Sequence, residues 1–128
     1  MMIADSDMLI DFLRGHEPGH GRIEIELRTD RLATTSVNAF ELLSGVRNSK
    51  EQAKVEVLLE ALTILPVDAR AADLAATVRR DLEGEGQGIG MADYLIAGVC
   101  LAHNGTLLTR NTGHFGRVRG LHVGGMHK

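Results

Sequence analysis

A chain of 128 residues with 44% apolar side chains suits one domain with a core of ordinary size, and a formal charge of −3 excludes a global basic field for gripping polyanions. Aromatics at 3% exclude base stacking along a row of exposed rings, and the lone cysteine, Cys100, excludes an internal disulfide. No run reaches membrane-spanning length, so a cytoplasmic chain with no membrane partner is expected.

Met1 to Ala4 is a short apolar run that stops at Asp5 and reads as a buried first strand. Asp7 to Arg14 follows as a helix, with Met8, Leu9, Phe12 and Leu13 on one side, Ser6 as its N-cap and Gly15 at its end. Gly19 and Gly21 bracket a turn. Ile23 to Arg28 is expected to be helical, although its alternation also suits a strand. Arg31 to Val37, rich in Thr and Val, predicts a second strand, and a helix follows through Phe40, Leu42, Leu43 and Val46. Ala53 to Leu62 predicts a helix with Val55, Leu58, Leu59 and Leu62 on one face. Thr63 to Val67 is a short strand, and Asp68 caps a helix along which Ala71, Leu74, Ala75, Val78 and Leu82 share a face. The Gly-rich stretch Gly84 to Gly90 lacks the Lys-Ser or Lys-Thr of a phosphate-binding loop, so it reads as a connection. Met91 to His103 is a strongly apolar helix closed by Asn104 and Gly105, Thr106 to Thr109 a further strand, and Leu121 to Val123 a last one. Short apolar strands alternating with helices imply an α/β fold in three layers: a mostly parallel sheet of four to five strands flanked by helices, with residues 1–128 as one domain.

In such sheets ligands collect at the carboxyl ends of the strands. Asp5, Glu41, Asp93 and Asn111 each lie where a strand ends or a helix begins, so all four can face one edge. Repulsion among gathered carboxylates requires a cation, and an oxygen-only donor set favours Mg2+ or Mn2+ over zinc. For each residue a plainer role competes. Asp7 reads as a helix-start acid that complements the dipole. Asn38 and Glu41 have the spacing of a capping box, although Ser36 is an equally good cap. Asp93 also lies in a first helical turn, but it stands beside much apolar surface, where an unpaired carboxylate is costly. Asn111 suits a turn, or ligation through its amide oxygen with Thr109 orienting it; Arg110 is a candidate phosphate contact. Cys100 reads as a small buried hydrophobe. The six histidines show no metal-ligand spacing, and none is assigned to catalysis; His122 and His127 fall near the end of the chain.

Four segments together resemble the PIN-domain family. Ile3-Ala4-Asp5-Ser6-Asp7-Met8-Leu9-Ile10 is similar to its opening motif, and Thr35 to Gly45, with Glu41-Leu42, to its second. Ile89 to Ala97, with Asp93, is similar to the third, and Leu107 to Phe115, with Asn111, to the fourth. The size resembles the VapC toxins of VapBC toxin–antitoxin pairs. The resemblance carries the family's acids to Asp5, Glu41 and Asp93, its usual hydroxyl to Ser6, and its fourth acidic position to the neutral Asn111. It implies an endoribonuclease dependent on Mg2+ or Mn2+, an RNA substrate, a homodimer, a small VapB-like antitoxin, and operator DNA bound through the antitoxin complex. Two alternatives stand beside it. A PIN-like module with a weak or inactive site would act by binding alone, an idea that Asn111 keeps open. Phosphatase chemistry of the haloacid-dehalogenase type would use Asp5 and Asp7, but the downstream Lys and paired acids it needs are missing.

Overall fold

The computed structural model describes residues 1–124, and His127 lies outside them. The elements run β1 (Met2–Ala4), α1 (Ser6–Arg14), α2 (Gly19–Leu27), β2 (Ala33–Thr35), α3 (Ser36–Ser44), α4 (Ser49–Glu60), β3 (Thr63–Leu65), α5 (Ala69–Gly84), α6 (Met91–Ala102), β4 (Thr106–Leu108), α7 (Thr112–Phe115) and β5 (His122–Gly124). The strands form one all-parallel sheet in the order β3-β2-β1-β4-β5. The expected three-layer α/β architecture is therefore present, with five strands. No helix among the described residues is long and apolar enough to cross a membrane.

The pleat of these three-residue strands sorts the core. Ile3 and Leu107 point to one face, where they pack with Ala71, Val78, Leu82, Ile96 and Cys100 from α5 and α6. Ala4 and Leu108 point to the other, against Met8, Leu9, Ile23, Val55 and Leu58 from α1, α2 and α4. Both strand pairs are fully buried, which is why the sequence shows continuous apolar runs there rather than alternation. Burial pushes the Cys100 thiol up to about 12, so it sits in the core as a hydrophobe.

Several boundaries move for identifiable reasons. The second strand ends at Thr35 rather than Val37, because the Thr35 hydroxyl accepts from the Asn38 N–H (3.1 Å) and starts α3. Neither Ser36 nor Asn38 is the cap. Helix α2 begins at Gly19, so Gly19 and Gly21 lie inside a helix and not in a turn. Gly19 is held there by packing: a Cβ would overlap the carboxyl of the buried Asp11. In α3, Leu42 is buried, whereas Phe40 and Leu43, one turn apart, face outward. Gly15 (φ 70°) and Asn104 (φ 50°) close their helices in the left-handed region, as their residue types led one to expect.

Helices α5 and α6 touch at Gly98, where a Cβ would overlap the Ala71 carbonyl and the Ala75 backbone. Since neither backbone can give way cheaply, Gly98→Ala is expected to cost about 1–3 kcal/mol of stability. Urea denaturation of the two chains checks this; an unchanged midpoint would mean that the helices separate freely.

Candidate active site at the carboxyl edge of the sheet

Strand β1 is flanked by β2 on one side and β4 on the other. The chain runs outward from β1 through β2 to β3, then returns to add β4 and β5 beyond the other side of β1. The reversal leaves a crevice at the carboxyl ends of β1 and β4, where ligands collect in open parallel sheets. Asp5 follows β1 and Thr109 follows β4, and the Asp5 N–H donates to the Leu108 carbonyl (2.9 Å), tying the two strand ends together.

Asp5, not Ser6, is the N-cap of α1. Its Oδ1 accepts from the Ser6 N–H (2.9 Å), so this strand-end acid does contribute to capping. The same oxygen accepts from Asn38 Nδ2 (2.9 Å), and Oδ2 accepts from the Thr109 hydroxyl (2.7 Å). Asp5 is only 8% exposed. Burial raises its pKa above the ordinary carboxylate value, more than the bonds from Thr109, Ser6 and Asn38 lower it, and the charge of Asp93 raises it further.

A chain of hydrogen bonds runs from Glu41 through Asp5 to Asn111. The Ser6 hydroxyl donates to Glu41 Oε1 (2.6 Å) and accepts from Asn38 Nδ2 (2.9 Å), whose other proton goes to Asp5. Beyond Asp5, the Thr109 hydroxyl accepts from the Asn111 N–H (3.0 Å). Past Asn111, His114 Nδ1 lies 3.3 Å from Asn111 Nδ2 and 3.1 Å from Asp93 Oδ2. All four polar positions singled out in the sequence therefore share one connected network: Asp5 at its buried centre, Glu41 at an exposed end, and Asp93 at the other end through His114.

Four placements depart from expectation. Asp7 does more than complement a helix dipole: its Oδ2 accepts from the Arg110 N–H (3.0 Å) and lies 3.4 Å from the Thr109 hydroxyl, while its buried Oδ1 has no partner. Burial and the neighbouring Asp5 charge raise its pKa. Arg110, a candidate phosphate contact for which a solvated surface role is the commoner alternative, has its Nε 3.1 Å from the carboxylate of Asp11, whose side chain is 8% exposed. The guanidinium compensates a buried charge, and the arginine straps the loop after β4 onto α1. His114, left out of the sequence-based site, belongs to it. Asn38 was also missed in this role. The sequence offered it as a helix cap, and only the fold reveals a fully buried amide touching two site residues.

The donors are hard oxygens, and the orphaned Asp7 Oδ1 and the raised pKa values of the buried Asp5 and Asp7 are features that a divalent cation would relieve. Among the described residues, however, no three Asp, Glu, His or Cys side chains already close around one point.

The chain belongs to the PIN-domain family, whose sequence profile matches residues 2–121. Within that family it is similar to ribonuclease VapC19 of Mycobacterium tuberculosis, 33% identical over 117 residues that cover 90% of this chain and 92% of the relative. It is similar also to ribonuclease VapC2 of Rickettsia felis, 30% identical over 124 residues covering 93% and 92%. Its fold superposes on that of a DNA-bound VapBC complex from Salmonella typhimurium with a TM-score of 0.86, at 27% identity over 96% of each chain.

Proposed function

We propose that this chain is the ribonuclease toxin of a toxin–antitoxin pair, a cytoplasmic hydrolase of RNA phosphodiester bonds that depends on Mg2+ or Mn2+, with residues 1–128 acting as one nuclease unit. The observation that carries this reading is the buried Asp5 at the sheet crevice, hydrogen-bonded on both oxygens and linked to Glu41 on one side and Asn111 on the other. The relatives named as VapC ribonucleases support it.

Asp5 and Asp93 would hold the ion, with Glu41 reaching it directly or through water. When bound, such an ion polarises a scissile phosphate and lowers the pKa of a bound water. The chain's own residues prepare the site. Thr109 and Asn38 orient Asp5 from opposite sides, Ser6 fixes Glu41, and the crevice excludes bulk solvent from Asp5. A chain of charge −3 lacks a general basic field for RNA, so a cation held by these acids would also offset the repulsion between an anionic substrate and anionic side chains.

The same reading extends to partners. The DNA-bound VapBC complex that shares the fold supports a small VapB-like antitoxin for this chain, with operator DNA bound by the pair; a homodimeric toxin is part of the same proposal. Purified chain and single-stranded RNA test the activity. Cleavage is expected with Mg2+ or Mn2+, a fall of at least about 100-fold in excess EDTA, and recovery when the ion is restored. Cleavage that persists in EDTA would remove the metal from the mechanism. A chain that holds its antitoxin but cuts no RNA with either ion would favour a module that only binds, the alternative that the neutral Asn111 supports.

A further inference from the structure

We propose that His114 is a positioning residue for Asp93: its Nδ1–H donates to Oδ2 and so fixes which carboxylate oxygen is presented to the divalent ion. The proposal rests on the metal-dependent reading above, and it concerns a residue type that the four acidic positions do not include.

The tautomer follows from the contacts. Nδ1 has two neighbours, Asp93 Oδ2 at 3.1 Å and Asn111 Nδ2 at 3.3 Å. An ionised carboxylate only accepts, so the nitrogen facing it carries the proton. The same nitrogen cannot then accept from an amide N–H. The Asn111 amide therefore turns its oxygen to this edge, since the O and N of an amide are assigned from such networks. In the neutral ring Nε2 is left with its lone pair. The His114 side chain is 44% exposed, in contrast to the 21% of Asp93.

The backbone of His114 is fixed independently of the site. It lies in α7 immediately before Phe115, which is fully buried in the core, and the Phe115 N–H donates to the Asn111 carbonyl (3.2 Å). The imidazole is thus anchored through its neighbour and presented to Asp93 across 21 residues of sequence. Among the described residues, no Lys or Arg pairs with Asp93, and its side-chain partner is this ring. With Oδ2 engaged, Oδ1 is the oxygen available to an ion. Partners that orient a ligating side chain in this way commonly change metal affinity by about 10- to 100-fold when removed. Asn111 and His114 together place an amide and an imidazole where a further carboxylate would add negative charge. They hold Asp93 in place without adding repulsion to the buried Asp5.

The full-length chain, His114→Ala and His114→Asn are compared for Mn2+ binding by calorimetry and electron paramagnetic resonance, alongside RNA cleavage and thermal midpoint. Asparagine places an N–H donor close to the position of Nδ1, so it keeps the bond while losing the ring. His114→Ala is expected to weaken Mn2+ binding about tenfold, with His114→Asn recovering most of the loss. A His114→Ala chain that binds Mn2+ like the parent would overturn the proposal, as would an asparagine variant no better than alanine. A second readout needs no metal. Nitrogen NMR of the ring in the metal-free chain is expected to report the Nδ1–H tautomer, and to lose that preference in Asp93→Asn; the Nε2–H tautomer in the parent would overturn the assignment. A parent chain that binds Mn2+ in a His114-dependent way but cuts no RNA would instead count against the ribonuclease reading alone.

Discussion

Asp5→Asn is expected to lower RNA cleavage by at least about 1,000-fold while leaving the fold intact. The substitution is close to isosteric, and asparagine is as good a helix N-cap as aspartate. Its amide oxygen can keep the bonds from the Ser6 N–H and Asn38 Nδ2 that Asp5 Oδ1 now accepts. The Thr109 hydroxyl, which donates to Oδ2, can rotate to accept from the new NH2 instead. What disappears is the charge at the centre of the network. The same variant has an opposite effect on stability without metal. Burial raises the folded-state pKa of Asp5 above the ordinary 3.8, so between those two values the folded chain holds a proton that the unfolded chain has released. Stability then falls as pH rises through that window and stays reduced above it. Asp5→Asn removes this penalty, so at neutral pH the metal-free variant is expected to resist urea better than the parent, and the gap should close on acidification. Divalent ion should stabilise the parent and not the variant. Intact cleavage by Asp5→Asn would disprove the assignment of Asp5 as the central ligand.

Such a trade, in which a buried charge lowers stability and supplies function, explains why parts of this site were legible in the sequence and others were not. Asp5, Glu41 and Asp93 stand out because each is an acid against an apolar run, and the alternation of strand and helix puts them at one sheet edge. The sheet itself was legible for the same reason: Ile3-Ala4 and Leu107-Leu108 are apolar on both faces, the mark of a strand covered by helices on each side. Where the local signal had two solutions, tertiary contact chose between them. Thr35, Ser36 and Asn38 can each cap a helix, and Thr35 does so because Asn38 is drawn inward to Asp5. Arg110 looks like a free phosphate contact until Asp11, 99 residues earlier, is found buried against it. His114 carries no signal in isolation, since its partner Asp93 is on another helix. These are long-range pairings between ordinary polar residues, and no window along the chain contains both halves.

Asn38 offers the sharpest test of how tightly the network is held, because two substitutions at one buried position predict different pH behaviour. The native amide donates to Asp5 Oδ1 and Ser6 Oγ, both at 2.9 Å, and accepts from the Thr35 hydroxyl at 2.7 Å. Asn38→Leu removes all three bonds and leaves buried polar atoms unpaired, a loss expected to be about 2–4 kcal/mol; only the share from the bond that lowers the Asp5 pKa depends on pH, and the rest persists in acid. Asn38→Asp preserves shape but replaces the donor with a carboxylate oxygen facing Asp5. Two buried carboxylates at that separation do not both ionise; they share a proton, and the pair titrates as a unit with one pKa raised. Near neutral pH the expected cost is about 3–5 kcal/mol, the scale for a buried charge left without compensation. The folded pair holds a proton that the unfolded residues release, so stability falls as pH rises through the raised value. Below the ordinary carboxylate range both states are protonated and the penalty vanishes. Urea midpoints at acid and neutral pH are therefore expected to converge for Asn38→Asp and its parent, and to stay apart for Asn38→Leu. Cleavage should fall in both variants, since each frees Asp5 to turn. If Asn38→Asp is no more sensitive to pH than Asn38→Leu, the two side chains do not face one another, and Asp5 is oriented by Thr109 and the Ser6 N–H without Asn38.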